Sequence, residues 1–175
     1  MKARQGAGQP QGGPALRIIG IDPGLASIGY GLIDVAGGSM RLLEYGCFTT
    51  PSSAAMAQRL CTIHDRIRDL LALWKPAFGG MESLFFFRNV TSALPVAEAR
   101  GVIRLAFASA EVPLADLSPT AIKQAVTGSA RADKAQVQEM VRILLGLPEV
   151  PKPDHASDAL AAAICRWHNE GPLSR

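Results

Sequence analysis

Residues 16–24 read LRIIGIDPG, a nearly continuous apolar run that ends in an acid and a Pro-Gly pair. A short unbroken apolar run of this kind is typical of a central strand buried on both faces of a sheet. The run stops at Asp22, where the Pro-Gly pair predicts a turn. In layered α/β sheets functional groups collect at the carboxyl ends of strands, so this stretch predicts both a fold class and a place for chemistry.

The patterns on either side of this strand predict the rest of the fold. The segments 27–36 (SIGYGLIDVA) and 40–50 (MRLLEYGCFTT) are strand-like, and the glycines between them favour an antiparallel meander. Further along, the sequence predicts a helix over 52–74, a strand over 77–82, a helix over 91–110, a strand over 112–117, and helices from Pro119, over 133–147 and over 154–167. This order predicts one α/β domain over 16–175, with a mixed five-stranded sheet flanked by helices.

Three local features sharpen these boundaries. Residues 1–15 are rich in Gly, Gln and Pro and are typical of a disordered tail. Pro95 is compatible with its helix only in the first turn, where no intrahelical donor is needed. Ser118 before Pro119 is a good helix start, and Asp154 is interpreted as the N-cap of the last helix.

Composition limits the classes of function. The formal net charge of +3 is compatible with a polyanionic partner but is weak support for one. No apolar run approaches the length of a membrane span, and the N-terminus lacks the apolar segment of a signal peptide. We therefore expect a soluble cytoplasmic protein with no membrane partner.

Two acids end predicted strands, and two further polar residues lie on the last helix. Asp22 alone is an ordinary turn residue, and Glu82 alone is an ordinary surface glutamate. In the last helix, His155 and Asp158 are three positions apart and share one face. Because Asp158 enters a strongly apolar stretch, its carboxylate must be paired or bind a metal. The four residues make a metal site only if the fold brings them together.

Five segments together resemble the RuvC family of Holliday junction resolvases, in order from Leu16 to Trp167. They are GIDPGLASIGYGLI, MESLFFFRN, AEARGVI, IKQAVTGSARADKAQVQEMV and DHASDALAAAI. The resemblance implies an RNase H-like fold, a symmetric homodimer and dependence on a divalent metal. It also implies paired nicks in two opposed strands of four-way junction DNA, in recombination and repair, together with the RuvA–RuvB branch-migration complex.

The resemblance also assigns site residues. It implies that the metal-binding acids are Asp22, Glu82 and Asp158, and that the fourth position, often an aspartate in the family, is His155. Asp154 is the alternative for that position. The implied cofactors are two Mg²⁺ or Mn²⁺ ions, with imidazole favouring Mn²⁺. Lys134 matches a basic position of the family and is expected to assist catalysis.

The expected DNA contacts follow the metal-binding glutamate and lie on the later helices. Three of the chain's six phenylalanines, Phe85, Phe86 and Phe87, directly precede Arg88. Adjacent rings cannot all face one core, so either one stacks on a base exposed at the crossover or one forms a dimer patch. The resemblance points to Phe85 as the stacking residue. It also points to phosphate contacts from Arg88, Lys123 and Lys134, which otherwise are ordinary solvated side chains.

Three alternatives remain at the level of sequence. GIDPG (20–24) also resembles a phosphate loop of the actin and sugar-kinase clan, but the chain lacks a second glycine-rich loop of that kind. A non-catalytic junction-binding module and a nuclease acting on RNA or other structured DNA are the other two. Small residues at Ala93, Ala97 and Gly101 predict close approach of another element, either the protein's own sheet or a second subunit.

Overall fold

The computed structural model describes residues 15–83 and 90–170 of the chain. Its elements are β1 (Leu16–Asp22), β2 (Ser27–Ala36), β3 (Ser39–Thr49), α1 (Met56–Trp74), β4 (Phe78–Glu82), α2 (Val90–Ser109), β5 (Leu114–Leu117), α3 (Pro119–Thr127), α4 (Lys134–Leu144) and α5 (Asp154–Glu170). Among the described residues, no helix has both the length and the apolar character needed to cross a bilayer.

The five strands form one sheet in the order β3-β2-β1-β4-β5. The pairs β3–β2 and β2–β1 are antiparallel, whereas β1–β4 and β4–β5 are parallel. The predicted mixed five-stranded sheet flanked by helices is therefore confirmed. Because β1 and β4 are parallel neighbours, their last residues, Asp22 and Glu82, lie at the same edge of the sheet.

Helices cover both faces of the sheet, and the sheet separates the hydrophobic core into two layers. Ile18 of β1 and Phe78 of β4 pack with residues of α3, α4 and α5, whereas Ile21 and Met81 pack with α1 and α2. Side chains alternate between the faces of a strand. Asp22 and Glu82 each follow a residue that faces α1 and α2, so both carboxylates belong to the α5 face.

Helix α5 lies directly on the sheet because both surfaces lack large side chains at the contact. A Cβ atom added to Gly20 would overlap the carbonyl oxygen of Ala159, and one added to Gly29 would overlap the carbonyl oxygen of His155. On the helix side, Ala159 and Ala163 are fully buried. The backbone of α5 therefore contacts the backbone of β1 and β2 with no side chain between them.

The predicted strands and helices are present, and the differences concern where helices begin and how they are capped. Ser118 caps α3 as expected, since its Oγ accepts a hydrogen bond from the Ala121 N–H at 3.1 Å. The helix predicted from residue 52 begins only at Met56, because the chain first makes a turn in which the Pro51 carbonyl accepts from the Ala54 N–H. Pro95 lies in the second turn of α2, so the prediction that it must occupy the first turn was wrong. The helix continues through it with one main-chain donor fewer.

The interpretation of Asp154 as an N-cap was also wrong. The Pro153 carbonyl accepts the first hydrogen bonds of α5, from the N–H groups of Ala156 and Ser157, so Asp154 is the first helical residue. Its carboxylate instead pairs with two lysine ammonium groups, those of Lys134 and Lys152, each at 3.3 Å. Charge pairing with a chain neighbour, Lys152, and with Lys134 of α4 has replaced the cap.

Gly20→Ala should separate α5 from the sheet. The added methyl meets main-chain atoms that cannot move aside, so we expect the free energy of unfolding to fall by about 3 kcal/mol or more. Urea denaturation would measure it. Ala57→Ser, which adds one atom at an exposed position of α1, is the control and should change the free energy of unfolding by less than about 0.5 kcal/mol. Equal stability of the two variants would contradict the close contact.

A candidate metal centre

Three of the predicted ligands meet at the junction of β1 and α5. One ligand atom each from Asp22, His155 and Asp158 lies within 4.8 Å of the other two. Nδ1 of His155 donates a hydrogen bond to Oδ2 of Asp22 at 2.6 Å. The Asp22 side chain is only 15% exposed, whereas that of His155 is 50% exposed. The cluster therefore has a buried carboxylate floor and an open imidazole side.

Glu82 lies beside this cluster without joining it. Its side chain lines a pocket together with Asp158, Lys123 and Lys134. Burial raises the pKa of Glu82 from 4.5 to about 7, with further contributions from the negative charges of Asp22 and Asp158. The Glu82 carboxylate is thus partly buried and lies near two other negative charges.

Asp22 experiences a similar environment. Burial is the main cause that raises its pKa, and the charge of Asp158 acts in the same direction, while the hydrogen bond from His155 opposes both. Several carboxylates held close together in partly buried positions are stable as anions only when cations balance them. Carboxylate oxygens with one imidazole nitrogen are a donor set that suits Mn²⁺ and accepts Mg²⁺ through the oxygens. The residues present fit a divalent metal.

A lysine supplies positive charge at the mouth of the cluster. The Lys134 ammonium lies 3.1 Å from Oδ2 of Asp158 and 3.3 Å from Oδ2 of Asp154. Burial alone would lower the pKa of Lys134, but its hydrogen bonds to these carboxylates outweigh that and raise the pKa. Asp133, directly before this lysine, caps α4 in a capping box with Gln136. The cap fixes the first turn of the helix and thereby the backbone position of Lys134.

The structure thus groups most of the predicted site residues and separates one. Asp22, His155 and Asp158 come together, with Glu82, Lys123 and Lys134 in the adjoining pocket. Asp154, the alternative to His155, pairs with Lys134 and Lys152 outside the three-residue cluster. Phe85, Phe86, Phe87 and Arg88 lie outside the described residues.

Sequence reasoning missed the residues that make this meeting possible. Because Gly29 has no side chain, the His155 carbonyl can lie against it, and the first turn of α5 can pack beside Asp22. The available signal was the spacing of glycines in the segment 20–31, GIDPGLASIGYG, opposite the alanine-rich segment of the last helix. Small residues on both sides of a contact are the usual condition for close backbone approach.

The sheet order, with carboxylates at the ends of β1 and β4 and on the last helix, defines an RNase H-like α/β domain. The family model described as crossover junction endodeoxyribonuclease RuvC matches residues 18–166. The relative from Heliobacterium modesticaldum is 51% identical over 87% of this chain and 94% of its own. The relative from Treponema pallidum is 49% identical over 86% of this chain and 77% of its own. Both carry the name of that family, and this chain belongs to it.

A solved structure agrees with this assignment. The Thermus thermophilus RuvC in complex with a Holliday junction substrate superposes with a TM-score of 0.82 at 36% identity. The match covers 86% of this chain and 92% of that one. The common architecture therefore extends over nearly all of both proteins.

Glu82→Gln should stabilise the metal-free protein in a pH-dependent way. The folded-state pKa of Glu82 lies above its ordinary value of 4.5, so ionisation costs folding free energy, and this cost grows from about pH 4.5 and is complete above pH 7. Gln does not titrate. In urea denaturation with EDTA, we expect the stability advantage of Glu82→Gln to be about 2 kcal/mol larger at pH 8 than at pH 4.5.

The matched control is Glu98→Gln, which changes an exposed glutamate on α2. A pH dependence of Glu82→Gln no larger than that of Glu98→Gln would show that the Glu82 carboxylate is not held against its charged neighbours.

Proposed function

We propose that this chain is a metal-dependent endonuclease that resolves four-way Holliday junctions by paired symmetric nicks, in DNA recombination and repair in the cytoplasm. The grouping of Asp22, His155 and Asp158 within 4.8 Å is the observation that carries the proposal. It is supported by membership of the family and by the likeness to a RuvC whose structure includes a junction substrate. The nuclease domain corresponds to residues 16–175, with residues 1–15 as a tail.

The proposed ligands are Asp22, Glu82, His155 and Asp158, and the cofactors are Mg²⁺ or Mn²⁺, two per site. Bound there, such ions supply an activated water and stabilise the leaving 3′ oxygen of a phosphodiester. The protein's own contribution is the rigid placement of these side chains. Asp22 is fixed by β1 and by its bond to His155, and Asp158 by the contact of α5 with the sheet.

Lysines next to the carboxylates are the proposed contacts to the scissile strand. Lys123 and Lys134 line the same pocket as Glu82 and Asp158. A DNA phosphate entering that pocket meets both ammonium groups. Lys134 now pairs with Asp158 and Asp154, and we propose that it turns to the phosphate when the carboxylates are neutralised.

Junction recognition is assigned to the connector that follows β4. Since β4 ends at Glu82, this connector begins directly after a proposed metal ligand. Within this connector we propose that Phe85 stacks on an exposed base, with Phe86 or Phe87 sharing the role, and that Arg88 contacts phosphate. Base–aromatic stacking contributes about 1–3 kcal/mol per base, enough to favour an unpaired base at a crossover.

Paired cuts in opposed strands require two active sites, which a twofold homodimer provides. The described part of α2 carries an exposed apolar stripe suited to that role. Leu94 is 59% and Leu105 is 57% exposed, and Ala97 and Gly101 between them are also exposed. These small residues do not pack against the protein's own sheet, so we propose that a second subunit covers them. The RuvA–RuvB complex is the further partner proposed from the family.

Asp158→Asn should abolish cleavage while leaving junction binding in place. A labelled synthetic four-way junction would be incubated with the protein and Mg²⁺ or Mn²⁺, beside linear duplex and RNA–DNA hybrid controls. We expect paired nicks in the junction alone, faster with Mn²⁺ at equal concentration. We also expect a loss of at least about 100-fold in rate for the variant, because one ligand is missing.

Asp65→Asn, on the exposed surface of α1, is the matched control and should cleave at the wild-type rate. Wild-type protein that leaves junctions intact with both metals would overturn the proposal. Preferred cleavage of the hybrid would assign the chain to a different nuclease activity.

Leu105→Glu should dissociate the proposed dimer. A carboxylate buried in an apolar interface is strongly disfavoured, so light scattering at micromolar concentration should show the mass of one chain instead of two. Ile143→Glu on α4 is the matched control, because Ile143 is 53% exposed and lies on another helix. A wild type with the mass of one chain, or equal masses for the two variants, would exclude association through α2.

A further inference from the structure

Helix α2 carries a buried arginine on the face that packs against the sheet. The Arg100 side chain is only 8% exposed, and it follows the fully buried Ala99 and precedes the fully buried Ile103. A buried guanidinium is stable only when its donors are satisfied and its charge is paired. In the sequence Arg100 is only one of several positive charges. Its burial becomes understandable only when its partners are identified.

Those partners lie on two neighbouring strands. Nη1 of Arg100 donates to the main-chain carbonyl oxygen of Glu82, at the end of β4. Nη2 donates to Oδ1 of Asp116 on β5, at 2.6 Å. The other oxygen of Asp116 accepts from Arg104 at 2.5 Å. Arg100 is thus held by an ion pair while it binds the backbone of a proposed metal ligand.

The hydrogen bond from Arg100 to Glu82 lies beyond the last residue pair between β4 and β1. The pairing of β1 with β4 ends at Ile21 and Met81, one residue before Glu82. On the β5 side, the ladder continues through Glu82 opposite Leu117. Arg100 therefore supplies a hydrogen bond to the main chain of Glu82 beyond the β1 ladder.

Arg100 approaches from the face opposite to the metal centre. It belongs to α2, whereas the Glu82 carboxylate belongs to the α5 face and lines a pocket with Asp158 and Lys134. Arg100 therefore touches Glu82 only at its main chain, while the guanidinium charge acts on the carboxylate through space. This separates Arg100 from residues that contact the substrate. Replacement by lysine keeps that charge and removes the planar guanidinium, so it tests the main-chain contact.

We propose that Arg100, held in place by Asp116, is a positioning residue that fixes the backbone at Glu82 and so directs its carboxylate toward the metal centre. The inference rests on the proposed role of Glu82 as a metal ligand. Groups that orient a metal ligand typically contribute about 10–100-fold to metal affinity or activity. Lysine cannot replace the arginine. The planar guanidinium donates to the carbonyl of Glu82 and to the carboxylate of Asp116 from two different nitrogens, whereas lysine has a single ammonium group.

The test compares Arg100→Lys with Arg104→Gln. Arg104 also pairs with Asp116, but it is 49% exposed and is not the residue that binds Glu82. Mn²⁺ binding would be measured by calorimetry on the full chain, unfolding by urea in EDTA, and junction cleavage as a function of Mn²⁺ concentration. We expect Arg100→Lys to weaken Mn²⁺ binding by about 10-fold or more and to slow cleavage. Arg104→Gln should remain within about twofold of wild type in both, because an exposed ion pair contributes little.

A double variant distinguishes positioning from general destabilisation. If Arg100 acts through Glu82, then Arg100→Lys should have no further effect on Mn²⁺ affinity in a Glu82→Gln background. If Arg100→Lys fails to fold, Asp116→Asn, which keeps the arginine and removes the charge that holds it, should weaken Mn²⁺ binding in the same direction. Wild-type Mn²⁺ affinity in the folded variant, or an undiminished effect in the double variant, would overturn the inference.

The outcome for wild type separates this inference from the proposed function. A wild type that neither binds Mn²⁺ nor cuts junctions would sink the proposed function itself. A wild type that does both, with an Arg100→Lys variant that is equally active and binds Mn²⁺ equally well, would sink only the role of Arg100.

Discussion

The contact between the backbone of α5 and the glycines of β1 and β2 determines where the polar residues of this domain meet. Gly20 and Gly29 leave room for main-chain atoms of the helix, and buried alanines on α5 keep the surfaces close. His155 and Asp158 reach Asp22 only because nothing larger lies between the layers. A site that needs ligand atoms within a few ångströms thus depends on residues that have no functional group.

The same contact creates an electrostatic cost. It places Asp22 and Asp158 together near Glu82, and burial with mutual repulsion raises the pKa of Asp22 and Glu82. Lys134 offsets part of this by pairing with Asp158. The repulsion among these carboxylates therefore destabilises the metal-free fold, and a divalent cation can offset it. Loss of stability for the sake of function is common at active sites.

The sequence was informative wherever the signal was local. The run 16–22 predicted the central strand, the Ser118-Pro119 pair predicted a helix start, and the spacing of His155 and Asp158 predicted their common face. It failed where a distant partner decides. Asp154, expected to cap α5, pairs with Lys134 on α4, and Arg100 binds groups that are 18 and 16 positions away in the chain. No local pattern contains those pairings, although an arginine on an apolar helix stripe is itself a sign of a buried partner.

Helix α2 joins the two proposals, because its opposite faces serve different purposes. Arg100 faces the sheet and binds the backbone of Glu82, while the next residue, Gly101, is exposed on the stripe proposed for the second subunit. A subunit that packs on this stripe restrains the helix that carries Arg100. In the proposed dimer, association would reduce the freedom of Glu82 in each subunit, and the proposed metal centre would be better ordered than in an isolated chain. The proposed arrangement would tie the ordering of both sites to the formation of the pair, which suits an enzyme proposed to make two cuts in opposed strands.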